Sequence, residues 1–355
     1  MFGLKLLTKV LEEEKPTVDT GRCVRKFLKA TCERCVSGCP QGAVQLSNAP
    51  RLDEARCDGC GVCTNVCPTG AFALPAANQV ASSTSAAFIC SQEKIDPASG
   101  AQVPCLGMLS EGTLLAATAR RNAVVLDVSQ CGKCPSKSAL AVIERTASRA
   151  NSILSTLGSR RTVVLSDRVR EPGTQAQRSR REFLTYFKGQ ALKVAAESLD
   201  GVLEEASFFT PTPKKDLERV PAKHALLQHQ IEALLANSNR SAGARLPFGR
   251  PAQPQRCSFC GLCARACPSD ALRMKETDET WELTLETRRC LDCKACAEVC
   301  PTGSLPYDDR VEAAALVCDQ QTILVEVDKR RCASCGCSFA DPGPDNLCHT
   351  CRKWR

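Results

Sequence analysis

An α+β protein of several domains is predicted from three observations. Cysteine runs of one spacing recur in pairs towards both ends of the chain. Between them, apolar strand runs alternate with helical patterns, and two Cys-x2-Cys pairs close the sequence. At 355 residues the chain has room for more than one core. Its 26 cysteines, roughly 7% of residues, favour metal ligation over a disulfide framework, because the chain is neither short nor visibly secreted.

The elements follow in order. The opening residues hold too short an apolar stretch for a signal segment and run into Glu12, Glu13 and Glu14, as expected of a mature cytoplasmic terminus. Residues 43–52 alternate around an Asn48-Ala49-Pro50 turn and predict a small hairpin between the halves of the first cysteine group. Runs at 86–89, 123–126 and 162–165 predict buried strands, with helices at 112–121 and 138–157, together a small α/β domain with a mostly parallel sheet. Residues 168–181 predict a solvated linker. Helices are expected at 182–205 and 222–237 about a Pro211-Thr212-Pro213 break, followed by a linker over 237–255. Ser179-Arg180-Arg181-Glu182-Phe183-Leu184 has the form of a twin-arginine export signal, but its mid-chain position and the lack of a following apolar run favour an arginine-rich helix start. Trp281, Leu283 and Leu285 alternate on a strand between the halves of the second paired group.

The strongest chemical signal is Cys57-x2-Cys60-x2-Cys63-x3-Cys67-Pro68. It recurs at Cys257, Cys260, Cys263, Cys267-Pro268 and at Cys290, Cys293, Cys296, Cys300-Pro301. Three cysteines two residues apart wrap one tight loop whose amides can face cluster sulfurs, and a short helical turn carries the fourth away to another cluster. Pro68 and Pro301 disfavour helix at the preceding cysteine, and Gly70 and Gly303 suit the turn into the next strand. Over 23–74 and 256–307 the sequence resembles the 4Fe-4S dicluster ferredoxin family. That resemblance implies two ferredoxin-like modules and four 4Fe-4S clusters. In the second module one cluster would take Cys257, Cys260, Cys263 and Cys300, the other Cys267, Cys290, Cys293 and Cys296. The first module departs from the pattern, since position 29 is Lys29 and Cys23 lies eight residues before Cys32. Cys23, Cys32, Cys35 and Cys67 are assigned to one cluster if residues 25–31 loop out, and Cys39, Cys57, Cys60 and Cys63 to the other. Without Cys23 the first would be a three-iron species. Paired zinc knuckles are the alternative to clusters.

The middle domain offers Cys90, Cys105, Cys131 and Cys134, each after a strand or short apolar stretch, so that all four converge at the carboxyl edge of one sheet. The stretch from Phe88-Ile89-Cys90 through Pro104-Cys105-Leu106-Gly107 to Leu126-Asp127 and Cys131 is similar to the small iron-sulfur subunit of methyl-viologen-reducing and heterodisulfide-reductase-linked hydrogenases. A fifth cluster, 2Fe-2S or 4Fe-4S, follows from that similarity. The alternative is two buried thiols beside a Cys131/Cys134 redox pair. At the end, Cys332, Cys335, Cys348 and Cys351 resemble a zinc ribbon, with a rubredoxin-like single iron as alternative and Cys337 and His349 outside the ligand set. Cys318, closing an apolar run, is expected to be a buried small hydrophobe. The division expected is an N-terminal segment (1–20), a dicluster module (21–79), the α/β domain (80–167), linker and helices (168–255), a second module (256–310), and strands with the ribbon (311–355).

The formal charge of +8 counts every cysteine as neutral. Ligand thiolates on four oxidised clusters and one zinc bring it to about −2. With two Tyr and two Trp there is little for bases to stack on, and no nucleic-acid partner is expected. No membrane span is expected either. No Gly-x-Gly-x-x-Gly, Walker A loop, nucleophile elbow or His-Glu-x-x-His is present. The expected function is a cytoplasmic polyferredoxin, with no catalysis of its own, relaying single electrons between a dehydrogenase (formate dehydrogenase is one candidate) or hydrogenase and an acceptor. The alternatives are a subunit of a disulfide- or thiol-reducing complex and an assembly factor for a molybdenum or nickel enzyme.

Overall fold

The computed structural model describes residues 15–26, 30–81, 85–91, 100–167, 220–237, 243–255, 257–339 and 345–353. The expected 182–205 helix, the 168–181 linker and the twin-arginine-like stretch lie outside the described residues. So do Lys29 and most of the N-terminal segment.

The middle of the chain forms a four-stranded sheet in the order Ala101–Val103, Ala87–Cys90, Ala123–Asp127, Thr162–Ser166, with every pairing parallel. Parallel neighbours need crossovers. The helices Glu111–Arg120 and Leu140–Thr156 supply two of them. Ser110 caps the first, its Oγ accepting from the Thr113 amide at 3.2 Å. The second turns Val142, Ile143, Thr146, Ala147, Ala150, Ile153 and Leu154 inward at helical spacing. Of these, Ile143, Ala147, Ala150, Ile153 and Leu154 pack with Phe88, Val124 and Leu126 in the largest core among the described residues.

That core does not stop at the α/β unit. The Ala222–Ala236 helix packs on Glu111–Arg120 so closely that a Cβ on Gly112 would meet the Leu227 nitrogen at 2.8 Å. Its Leu227, Ile231 and Leu234 join the core, as do Leu246, Phe248, Val311 and Leu316. Part of the expected 237–255 linker is therefore structural: Arg245–Leu246 pairs with Val311–Glu312, and Arg250–Pro251 with Tyr307–Asp308. Turn-forming residues concealed these two-residue strands, which only partners some sixty residues away stabilise.

Each cysteine module carries an antiparallel hairpin. In the first it is Val44–Leu46 with Pro50–Leu52. In the second it is Leu272–Glu276 with Thr280–Glu286, extended by a third strand, Gln321–Asp328. The last strand belongs to the segment grouped by sequence with the tail, and it ties that segment to the second module's sheet. Leu283, Leu285 and Leu324 meet in that module's core. Cys318 is exposed, contrary to the buried position expected. It follows a short 3-10 turn, Ala313–Leu316, whose buried members are Ala313 and Leu316, so the apolar run spends its burial before reaching the cysteine.

Candidate metal centres

Three cysteine loops share one unusual backbone. The residue two positions after the first cysteine is left-handed at Gly59 (φ 70°), Phe259 (φ 50°) and Asp292 (φ 50°). The residue after the second cysteine is left-handed at Gly61 (φ 71°), Gly261 (φ 71°) and Lys294 (φ 64°). A non-glycine residue there costs about 1 kcal/mol or more, so Phe259, Asp292 and Lys294 mark conformations that the surroundings impose. The turns bring the amides of Gly59, Phe259 and Asp292 to the thiols of Cys57, Cys257 and Cys290. In the first loop of the first module, where Lys29 replaces a cysteine, Glu33 has φ −128° and the repeat is broken. Cys23 instead reaches the site from between two 3-10 turns, Thr20–Arg22 and Val24–Lys26.

The Cys-Pro elbows also repeat. The residue three places after the cysteine is left-handed in all four: Gly42 (φ 58°), Gly70 (φ 66°), Asp270 (φ 54°) and Gly303 (φ 60°). The amide two residues after the proline's neighbour then points back at the cysteine. Ala43 donates to Cys39 Sγ at 3.2 Å, Ala71 to Cys67 Sγ at 3.4 Å and Ala271 to Cys267 Sγ at 3.2 Å. At the fourth elbow the hydroxyls of Thr302 and Ser304 lie 3.4 and 3.9 Å from Cys300 Sγ. Partial burial pushes the Cys300 thiol up, but these donors outweigh it and bring it to about 7. The sequence carries a signal for this in the small residue four places after each of the four elbow cysteines, Ala43, Ala71, Ala271 and Ser304.

These loops and elbows assemble the thiols in a crossed pattern. A small cavity is lined by Cys257, Cys260, Cys263 and Cys300, and another by Cys267, Cys290, Cys293 and Cys296. Cys300 thus faces the loop of the other half, away from its own sequence neighbours. In the first module Cys35 is surrounded by Cys67, Cys32 and Cys23, while Cys63 faces Cys57 and Cys39. Burial first, then the neighbouring thiols, push Cys35 and Cys63 up to about 12 and Cys263 to about 11. Four thiolates cannot share such a place without positive charge among them, and the donor set therefore fits a cationic metal centre such as an iron-sulfur cluster.

The α/β unit gathers its own set. Cys90 ends one strand, Cys105 follows the next, and Cys131 and Cys134 follow Ala123–Asp127, so all lie at the carboxyl edge of the parallel sheet. Burial pushes Cys105 up to about 12, helped by Cys90, Cys131 and Cys134. The Gly107 amide donates to Cys105 Sγ and the Ser136 amide to Cys134 Sγ, each at 3.4 Å. At the tail, the thiols of Cys332, Cys335, Cys348 and Cys351 all lie within 4.8 Å of one another. Among the described residues this is the group drawn in to the spacing of a single ion. Cys337 lies against it, 3.3 Å from Cys335, and the side chain of His349 lies outside the described part. Amides of Cys348 and Cys335 lower the Cys332 thiol, whereas at Cys351 a Ser334 hydrogen bond is outweighed by the Cys335 and Cys348 thiols, which raise it.

One contributor had no sequence signal. The Lys223 ammonium, enclosed beside the first module, donates to the carbonyls of Thr64, Asn65 and Cys67 at 2.7, 2.6 and 2.5 Å. It thereby closes the carboxyl end of the short helix that leads to the Cys67 elbow. Burial lowers it to about 8, with the Cys67 thiol opposing that shift. Lys223 also borders a cleft of about 720 Å3 whose lining includes Arg34, Arg145, Arg149 and Lys294.

Comparison with known families agrees with the cysteine pattern. Residues 30–72 match a 4Fe-4S dicluster domain, and residues 256–304 match a second 4Fe-4S dicluster domain model. The chain thus carries two 4Fe-4S dicluster ferredoxin domains. No curated protein matches the chain. No helix among the described residues is long and apolar enough to cross a membrane.

Proposed function

We propose that the protein is a polyferredoxin, a cytoplasmic relay that takes single electrons from a dehydrogenase, of which formate dehydrogenase is one candidate, or from a hydrogenase and passes them to an acceptor protein. In this reading Cys23, Cys32, Cys35 and Cys67 hold one 4Fe-4S cluster and Cys39, Cys57, Cys60 and Cys63 a second. Cys257, Cys260, Cys263 and Cys300 hold a third, and Cys267, Cys290, Cys293 and Cys296 a fourth. Cys90, Cys105, Cys131 and Cys134 hold a further iron-sulfur cluster, and Cys332, Cys335, Cys348 and Cys351 a structural zinc. When bound, each 4Fe-4S cluster supplies a one-electron couple whose potential follows from hydrogen bonds to sulfur and from burial. The chain's own part is to fix those terms: left-handed turns aim amides at sulfur, the elbows exchange fourth ligands between halves, and the packed cores keep water away.

The observation that carries this reading is the crossed placement of Cys300 with Cys257, Cys260 and Cys263. Two independent zinc knuckles would gather each cysteine with its own sequence neighbours. The test is a pair of variants examined by paramagnetic resonance and iron content after anaerobic purification. Cys300→Ala is expected to damage the cluster of the 257–263 loop and spare that of the 290–296 loop, and Cys267→Ala to do the reverse. Damage confined to each cysteine's own loop would contradict crossed ligation, and zinc in place of iron would remove the reading altogether.

A further inference from the structure

We infer that the five cysteine groups form a single row in a fixed order. The α/β group comes first, then Cys39/57/60/63, Cys23/32/35/67, Cys267/290/293/296 and finally Cys257/260/263/300. The row rests on the reading that these groups hold clusters, and goes beyond it by fixing which neighbours which.

Two junctions decide the order, because the pairing within each module already follows from the crossed elbows. At the first, Cys60 and Cys105 pack in one cluster with Val62, Ala139 and Val142. Gly107 comes so close that a Cβ there would lie 2.9 Å from a Val62 methyl. Asn65 locks the contact, its Nδ2 donating to the carbonyls of Gly107 at 3.1 Å and Leu109 at 2.8 Å. Asp58 accepts from Ser136 Oγ at 2.7 Å, from Gln41 at 2.9 Å and from the Cys60 amide at 3.1 Å, so one carboxylate braces the Cys57–Cys63 loop against the α/β unit.

At the second junction Cys32 and Cys293 pack together with Val24, Ala30 and Ala295, a patch drawn from both modules. The Thr31 amide donates to Glu298 at 2.6 Å and Arg34 to the Asp292 carbonyl at 2.9 Å. The facing groups are therefore the one containing Cys32 and the one containing Cys293. The far end is more open, since Cys260 is exposed and Leu262 beside it is 39% exposed. The other end is the half-exposed Cys90, Cys131 and Cys134 of the α/β unit. A partner protein thus has two ends of the row to meet, of which the Cys257/260/263/300 end, with Cys260 exposed, is the more open.

The order is tested in full-length protein with Cys105→Ser emptying the α/β group. Adding Cys57→Ser, Cys60→Ser, Cys257→Ser and Cys260→Ser leaves the two groups that meet across the module boundary. The dithionite-reduced protein is expected to show magnetic splitting between them. Replacing instead Cys32, Cys35, Cys290 and Cys293 by serine leaves two groups that are not neighbours, and their signals are expected to be unsplit. Equal splitting in both, or none in the first with its iron intact, would overturn the order. Iron content of the unaltered protein separates this from failure of the cluster reading itself. The junctions are also read without clusters being removed, by hydrogen exchange. Glu298→Ala is expected to speed exchange several-fold at residues 30–35, and Asn65→Ala at residues 105–110. Unchanged exchange in both would overturn the junctions.

Discussion

The two dicluster modules share spacing, elbows and crossed thiols, yet they are protected differently. In the first, Cys23, Cys35, Cys63 and Cys67 are all buried, whereas in the second only Cys296 is buried and Cys260 is exposed. The first module shares contacts with the α/β unit on one side and the second module on the other. The second has the exposed Cys260 at one end and spends its extra chain on a third strand, Gln321–Asp328. One motif thus serves as an interior piece and as an end piece, and the difference comes from what packs around it.

Ligand loss should break the comparison most strongly. Cys67→Ala removes a buried thiol from a core that also contains Val44, Ala71 and Phe72, while Cys300→Ala removes one at the open end. Each is expected to cost about four irons. Thermal unfolding of the anaerobic protein should fall further for Cys67→Ala, and equal losses would show that burial does not distinguish the modules.

Lys223→Met comes next. It leaves the carbonyls of Thr64, Asn65 and Cys67 without their donor, at a cost of about 1–3 kcal/mol. Denaturant titration should show that loss, and hydrogen exchange should place it in the first module and not the second.

Legibility in the sequence divides along the same line. The loops, elbows and α/β strands were readable because their signals are local: fixed cysteine spacing, Cys-Pro, and apolar runs such as Ala123–Asp127. The convergence of Cys90, Cys105, Cys131 and Cys134 was readable too, since parallel strands end at one edge. What surrounds the first module was not. Lys223 acts across some 156 residues of sequence, and Asp58 with Ser136 across 78. Cys318 misled because an apolar run predicts burial only until the chain turns away, as it does after Ala313–Leu316.

Potentials offer a gentler test. Hydrogen bonds to sulfur raise a cluster's potential and burial opposes the extra negative charge of reduction. The group containing Cys300, with two hydroxyls near its sulfur and an exposed Cys260, should therefore have the highest potential of the four. Thr302→Val is expected to lower that potential alone in a titration followed by paramagnetic resonance.

The smallest expected effect compares equivalent glycines. Gly70 and Gly303 are both left-handed, but a Cβ on Gly70 would meet Pro221 at 3.0 Å, whereas one on Gly303 meets nothing within 4 Å. Gly303→Ala should cost only the backbone strain, about 1 kcal/mol, and Gly70→Ala that strain plus the displacement of Pro221. Chemical denaturation of both variants measures the difference, and identical costs would mean that the first module is no more tightly surrounded than the second.

The most direct measurement of the central claim is a count of iron, acid-labile sulfide and zinc on anaerobically purified protein, with Mössbauer spectra to identify the iron. About sixteen irons with matching sulfide are expected from the two modules, with two or four more from the α/β group and one zinc in the tail. Zinc at the modules with no labile sulfide would contradict the account.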